Sequence, residues 1–111
     1  MTIQYKSATF NLTTNTSTTV LTISTSAVGI VKSVQASHET ASNVDVDLYI
    51  SKAGAAGVEI AHAQLNKSFV NLAVNTLNLE AGDSLIAEAD TSNAITGVIS
   101  YALIDRSQEN G

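Results

Sequence analysis

The sequence contains no cysteine, no proline and no tryptophan among its 111 residues. Without cysteine there is no disulfide framework, no thiolate zinc site and no cysteine nucleophile. Basic residues are scarce: five Lys and Arg face ten Asp and Glu, a formal net charge of -5. That is the wrong sign for a nucleic-acid binder. Aromatic residues make up only 5%, too few to line a sugar cleft or stack on sugar faces. No stretch approaches the roughly eighteen consecutive apolar residues that a membrane helix needs. The opening Met1-Thr2-Ile3-Gln4-Tyr5-Lys6-Ser7 also lacks the basic start and apolar middle of a signal peptide. With the lack of cysteine, this gives the expectation of a protein made in a reducing cytoplasm.

What is present suits a packed domain. Hydrophobic residues reach 44% against 14% charged, enough for a core and unlike a disordered chain. The length is one domain's worth. The expectation is a single domain over 1–111, with a flexible N-terminal arm (1–8) and a polar C-terminal tail (105–111). Thirteen Thr, thirteen Ser and nine Asn dominate the polar positions. Thr, Val and Ile favour strands, whereas Asn, Ser and Gly favour turns.

Apolar residues recur with period two. In Val44-Asp45-Val46-Asp47-Leu48-Tyr49-Ile50, one face takes Val44, Val46, Leu48 and Ile50, and the other takes Asp45, Asp47 and Tyr49. That is a half-buried strand. The turn Gly54-Ala55-Ala56-Gly57 joins it to a strand over 58–65 as a hairpin. Ala favours a helix over 53–65, but Gly54, Gly57, Val58 and Ile60 oppose it. Further strands are expected over 4–12, 18–24, 30–37 after a turn at Val28-Gly29, 69–74, 77–79, 85–89 and 95–104. About eight short antiparallel strands at this spacing make an all-β protein, a single jelly-roll-like β-sandwich.

Candidate chemistry is sparse. Gly82-Asp83-Ser84-Leu85 spells the GDSL string of a hydrolase family, whose Ser needs a His base oriented by an Asp. That family carries the motif near its N-terminus, and here no His follows it, so a tight turn at 80–83 is the better account. His38 and His62 are the only histidines and are expected to be solvated or hydrogen-bonded. Asp45 and Asp47 lie on one strand face and, with Glu39 or Glu59, offer oxygen ligands to calcium. Outward acids also keep a strand soluble. The Asn-x-Ser/Thr triplets at Asn11, Asn15 and Asn66 are expected by chance in this composition. No catalytic residue, cofactor or metal ligand is assigned, and the chain is read as no enzyme. A surface rich in Ser, Thr and Asn loses little side-chain entropy on packing, which favours an assembly component.

The order of motifs resembles a family. The run Thr18-Thr19-Val20-Leu21-Thr22-Ile23 leads into Gly29-Ile30-Val31-Lys32-Ser33-Val34. A strand from Val44 to Lys52 follows, then Leu77-Asn78-Leu79-Glu80-Ala81-Gly82-Asp83-Ser84-Leu85-Ile86-Ala87 and the closing Gly97-Val98-Ile99-Ser100-Tyr101. This is similar to small all-β virion structural proteins of tailed bacteriophages, cyanophages included. The resemblance implies a virion location and the major capsid protein or other virion proteins as partners. It also implies a homo-oligomer, expected as a trimer, with no nucleic acid and no membrane bound. Its role would be capsid decoration, a cement that bridges capsid subunits; a tail, neck or fibre-attachment subunit is the alternative. A carbohydrate- or cell-surface-binding sandwich is a third reading. Ile3, Tyr5 and Phe10 are the expected subunit contacts.

Overall fold

The computed structural model describes residues 2–73 and 75–105. Nine strands form there: β1 (Thr2–Leu12), β2 (Thr18–Thr22), β3 (Ala27–His38), β4 (Val44–Ser51), β5 (Val58–Leu65), β6 (Ser68–Asn71), β7 (Leu77–Leu79), β8 (Ser84–Ala89) and β9 (Ile95–Asp105). No helix occurs among the described residues, so the Ala-rich stretch resolves as strand β5.

One sheet runs β1-β9-β3-β6, with β7 also on β3; the other runs β2-β8-β4-β5. We refer to them as the first and second sheets. All pairs are antiparallel, and they nest: β1 with β9, β2 with β8, β3 with β6 and β7, β4 with β5. A long ribbon paired in this way is then rolled up by the β3–β9 and β4–β8 contacts. This is jelly-roll-like order, the sandwich expected from the spacing of the strands.

The inner faces interdigitate to form the core, with Leu12, Val34, Val46, Leu48, Leu85 and Ile99 each fully buried. Burial of each such side chain contributes about 1.5–3 kcal/mol. In β4, Val44, Val46 and Leu48 are buried while Asp45 and Asp47 are not, so the alternation of the sequence is the alternation of the sheet.

Three expectations are corrected. Val28 and Gly29 do not turn; both lie inside β3, opposite Ile104 and Leu103. The segment expected as an arm is, from Thr2 onward, the first half of β1, paired with β9 from Thr2↔Asp105 to Leu12↔Ile95. The strand expected over 69–74 ends at Asn71, because the Asn71 carboxamide oxygen accepts the amides of Val34 and Ala73 and turns the chain; residue 74 lies outside the described residues. Of the expected tail, Asp105 ends β9 and residues 106–111 lie outside the described residues.

Candidate interaction surface

The Gly-Asp-Ser-Leu string forms a structural knot at one end of the sandwich. Gly82 takes a φ of 84°, a left-handed conformation that favours glycine. The turn brings Asp83 under the β4–β5 hairpin, where it is 1% exposed. Its Oδ2 accepts from Lys52 Nζ at 2.6 Å and from the Glu80 amide at 2.8 Å, and its Oδ1 accepts from the Ala53 amide at 3.1 Å. Burial pushes the carboxyl up, but the Lys52 ammonium and the two amides outweigh it and hold Asp83 below its ordinary value. Lys52 Nζ also donates to Glu80 Oε1 at 3.0 Å, and its bonds to the Asp83 and Glu80 carboxylates raise the Lys52 ammonium. Ser84 Oγ is bonded to Thr22 Oγ1, while the two histidines bond to Ala94, Ser42 and Thr40 and to Asp47.

The histidines sit on different sheets. His38 ends β3 and is buried. Its Nδ1 lies 3.0 Å from the Ala94 carbonyl, and the hydroxyls of Ser42 and Thr40 lie 3.1 and 3.2 Å from Nε2. A carbonyl only accepts, so Nδ1–H donates and Nε2 accepts. Both ring nitrogens are engaged, and the ring fastens the 39–43 loop to the β8–β9 turn. His62 lies on β5 opposite Asp47 and pairs with its carboxylate, which holds the imidazole above its ordinary value.

The acidic grouping differs from the expected one. Asp47 stands with Glu59 and His62, one ligand atom from each lying within 4.8 Å of the others. Asp45 instead accepts from Gln64. Two of the three are exposed, and Asp47 already accepts the His62 proton. This is a hydrogen-bonded Asp–His pair beside an acid on a solvated face, an ion pair when the imidazole is protonated.

The two outer faces differ sharply. Residues directly opposite in a ladder share a face. On the second sheet this places Asp45, Asp47, Glu59 and Glu88 together with Tyr49, His62, Gln64 and a single aliphatic residue, Ile86. The acids press on the Tyr49 phenol, which burial raises first and Asp47, Glu88 and Glu59 raise further. On the first sheet one row reads Ile3–Ile104–Val28 and the next Tyr5–Ala102–Ile30. No carboxylate joins these rows among the described residues. The charge beside them is Lys32, whose Nζ lies 5.0 Å from the centre of the Tyr5 ring.

Of the expected contacts, Ile3 is 55% and Tyr5 76% exposed. Phe10 points the other way: it packs against the core and lies across Gly97. Val28, Ile30, Ile104 and the buried Ala102 share this outer face with Ile3 and Tyr5. Their signal was present in the unbroken apolar runs Val28-Gly29-Ile30-Val31 and Ala102-Leu103-Ile104, the pattern of strands covered on both faces.

No protein-family model and no curated protein matches the chain. The fold, however, has solved counterparts. A chain of the acid-stable capsid of the Helicobacter pylori bacteriophage KHP30 superposes with a TM-score of 0.60 at 13% identity, covering 96% of this chain and 90% of that one. A chain of the Bacillus endospore appendages, disulfide-linked pili, superposes with a TM-score of 0.50 at 14% identity, covering 95% and 88%. A pentameric capsid protein from metagenomic phage sequences reaches a TM-score of 0.46 at 18% identity, over 91% and 62%. At these identities the likeness is one of fold.

Proposed function

We propose that the chain is a non-enzymatic structural subunit of a virion, a capsid decoration protein that bridges capsid subunits of a tailed phage. The observation that carries this reading is the outer face of the first sheet. The strands β3 and β9 are written as if buried on both sides, yet the second sheet covers only one. The first half of β1 is inverted as well: Ile3 and Tyr5 face outward, while Gln4 and Lys6 take the inner face. Seating that face on a neighbouring subunit removes the exposed Ile3 and Tyr5 and the half-buried Val28, Ile30 and Ile104 from water, and leaves the acidic face of the second sheet to solvent. The fold shared with the phage capsid chain supports the setting. Cysteine is absent, so cohesion in the assembly comes from burial and strand contacts rather than disulfides.

Quantitative mass spectrometry of purified particles tests the role. A decoration protein is expected at a copy number comparable to that of the capsid protein, or one per local three-fold. A handful of copies per particle assigns it instead to the neck, tail or fibre attachment. Absence from particles overturns the virion reading and returns a surface-binding module to the front.

A further inference from the structure

We propose that β1 is a self-pairing edge: two copies of this chain join β1 to β1 antiparallel about a two-fold axis, making one continuous sheet. A free edge presents unpaired N–H and C=O groups, and proteins usually blunt it with bulges, charges or shortness. Three of the four edges here carry such devices. Strand β2 is five residues long and bulged between Thr19 and Leu21. Strand β5 has an irregularity between its partners Leu48 and Tyr49, and it carries Glu59 and His62. The edge opposite β1 is broken into β6 and β7, of four and three residues.

Strand β1 carries almost none. It spans 11 residues in unshifted register with β9, without proline, and Lys6 is its single charge. Residues 2–7 are exposed, so its first half is held by one ladder and little core. The remaining edges are poor recipients, which leaves β1 as its own partner, and a strand pairs with itself antiparallel through an isologous two-fold contact. This geometry departs from the three-fold expected from the sequence resemblance.

The side chains select the register. Pairing centred on Lys6 sets two ammonium groups opposite each other, which is unfavourable. Pairing centred on Tyr5 sets Tyr5 against Tyr5, Ile3 against Ser7, Gln4 against Lys6 and Thr2 against Ala8. It merges the Ile3 and Tyr5 rows of both copies into one apolar platform. Such a contact falls below the roughly 1,200 Å² of a stable standard interface, so the pair is weak in free solution and strengthened by multiplicity in an assembly.

Covalent trapping in the intact chain tests this independently of any virion. The protein has no cysteine, so Tyr5→Cys introduces a single thiol. Opposed residues of an antiparallel pair have Cα atoms about 4.5–5.5 Å apart, within disulfide reach. Mild oxidation of Tyr5→Cys is expected to give several-fold more linked dimer than Thr9→Cys, whose counterpart in the other copy stands about eight residues along the strand in this register, out of disulfide reach. In the Tyr5→Cys background, Gln4→Glu is expected to raise the yield by facing Lys6, and Gln4→Lys to lower it, with both effects reduced by salt. Gln4 is exposed, so neither change burdens the fold. Equal yields from Tyr5→Cys and Thr9→Cys overturn the proposal. So does trapping that ignores the charge at position 4.

Discussion

Gly97→Ala is expected to destabilise the protein by about 3 kcal/mol, read as a drop in the urea midpoint. A Cβ at Gly97 would stand 2.3 Å from the backbone oxygen of Gln35 and 2.3 Å from the Phe10 ring. The first is the harder obstacle. Gln35 belongs to β3, which is held on both sides by β9 and β6, so its carbonyl cannot swing aside. The Phe10 ring can rotate, but only by leaving the core it packs against. Phe10→Ala is therefore expected to cost less in the Gly97→Ala background than in the parent, since one of the two clashes has gone. A Gly97→Ala protein within about 0.5 kcal/mol of the parent contradicts this account of the glycine as a site of close approach.

Asp83→Ala is expected to cost about 3 kcal/mol, because it strands two amides and a lysine that met on one buried carboxylate. The loss is shared by three segments, since the turn also bonds Ile23 through the Gly82 amide and the Asp83 carbonyl. The dependence on pH has a definite sign. The folded carboxyl titrates below its ordinary 3.8, so the unfolded chain binds the proton more readily. Its stabilising contribution is then complete above that ordinary value and is lost as pH falls through the lower, folded one. The stability gap between the parent and Asp83→Asn is expected to be widest near neutral pH and to close in strong acid. A gap that stays constant with pH contradicts the ion-paired reading of Asp83.

Much of this fold is legible in the sequence where one side of a strand is buried and the other wet. The alternation from Val44 to Ile50 gives both the strand and its faces, and the Gly54–Gly57 turn gives the hairpin to β5. The turn at 80–83 is legible too, because the hydrolase alternative lacks a downstream histidine. Partners are another matter. Period two assigns faces but not neighbours, and the β3–β9 ladder joins residues such as Ala27 and Asp105 that no local pattern connects.

Phase is lost in two places for physical reasons. A shift between Val31 and Ser33 reverses which residues of β3 face inward, so Val28 and Ile30 read as core while lying outside it. In β1, Ile3 and Phe10 look alike as apolar residues of one strand, yet their odd and even positions send them to opposite sides. Gly29 misleads in its own way: it reads as a turn, yet it is a strand residue beneath Ile23, whose side chain leaves no room for a Cβ.

These misplaced apolar residues are the ones on which the functional reading rests. Hydrogen exchange of the chain, free and assembled in the particle, tests that reading most directly. The account predicts added protection in peptides covering residues 2–8, 27–33 and 98–105, with the acidic strands β4 and β5 exchanging as in the free chain. Protection gained on β4 and β5, with β1 and β9 unchanged, would contradict it.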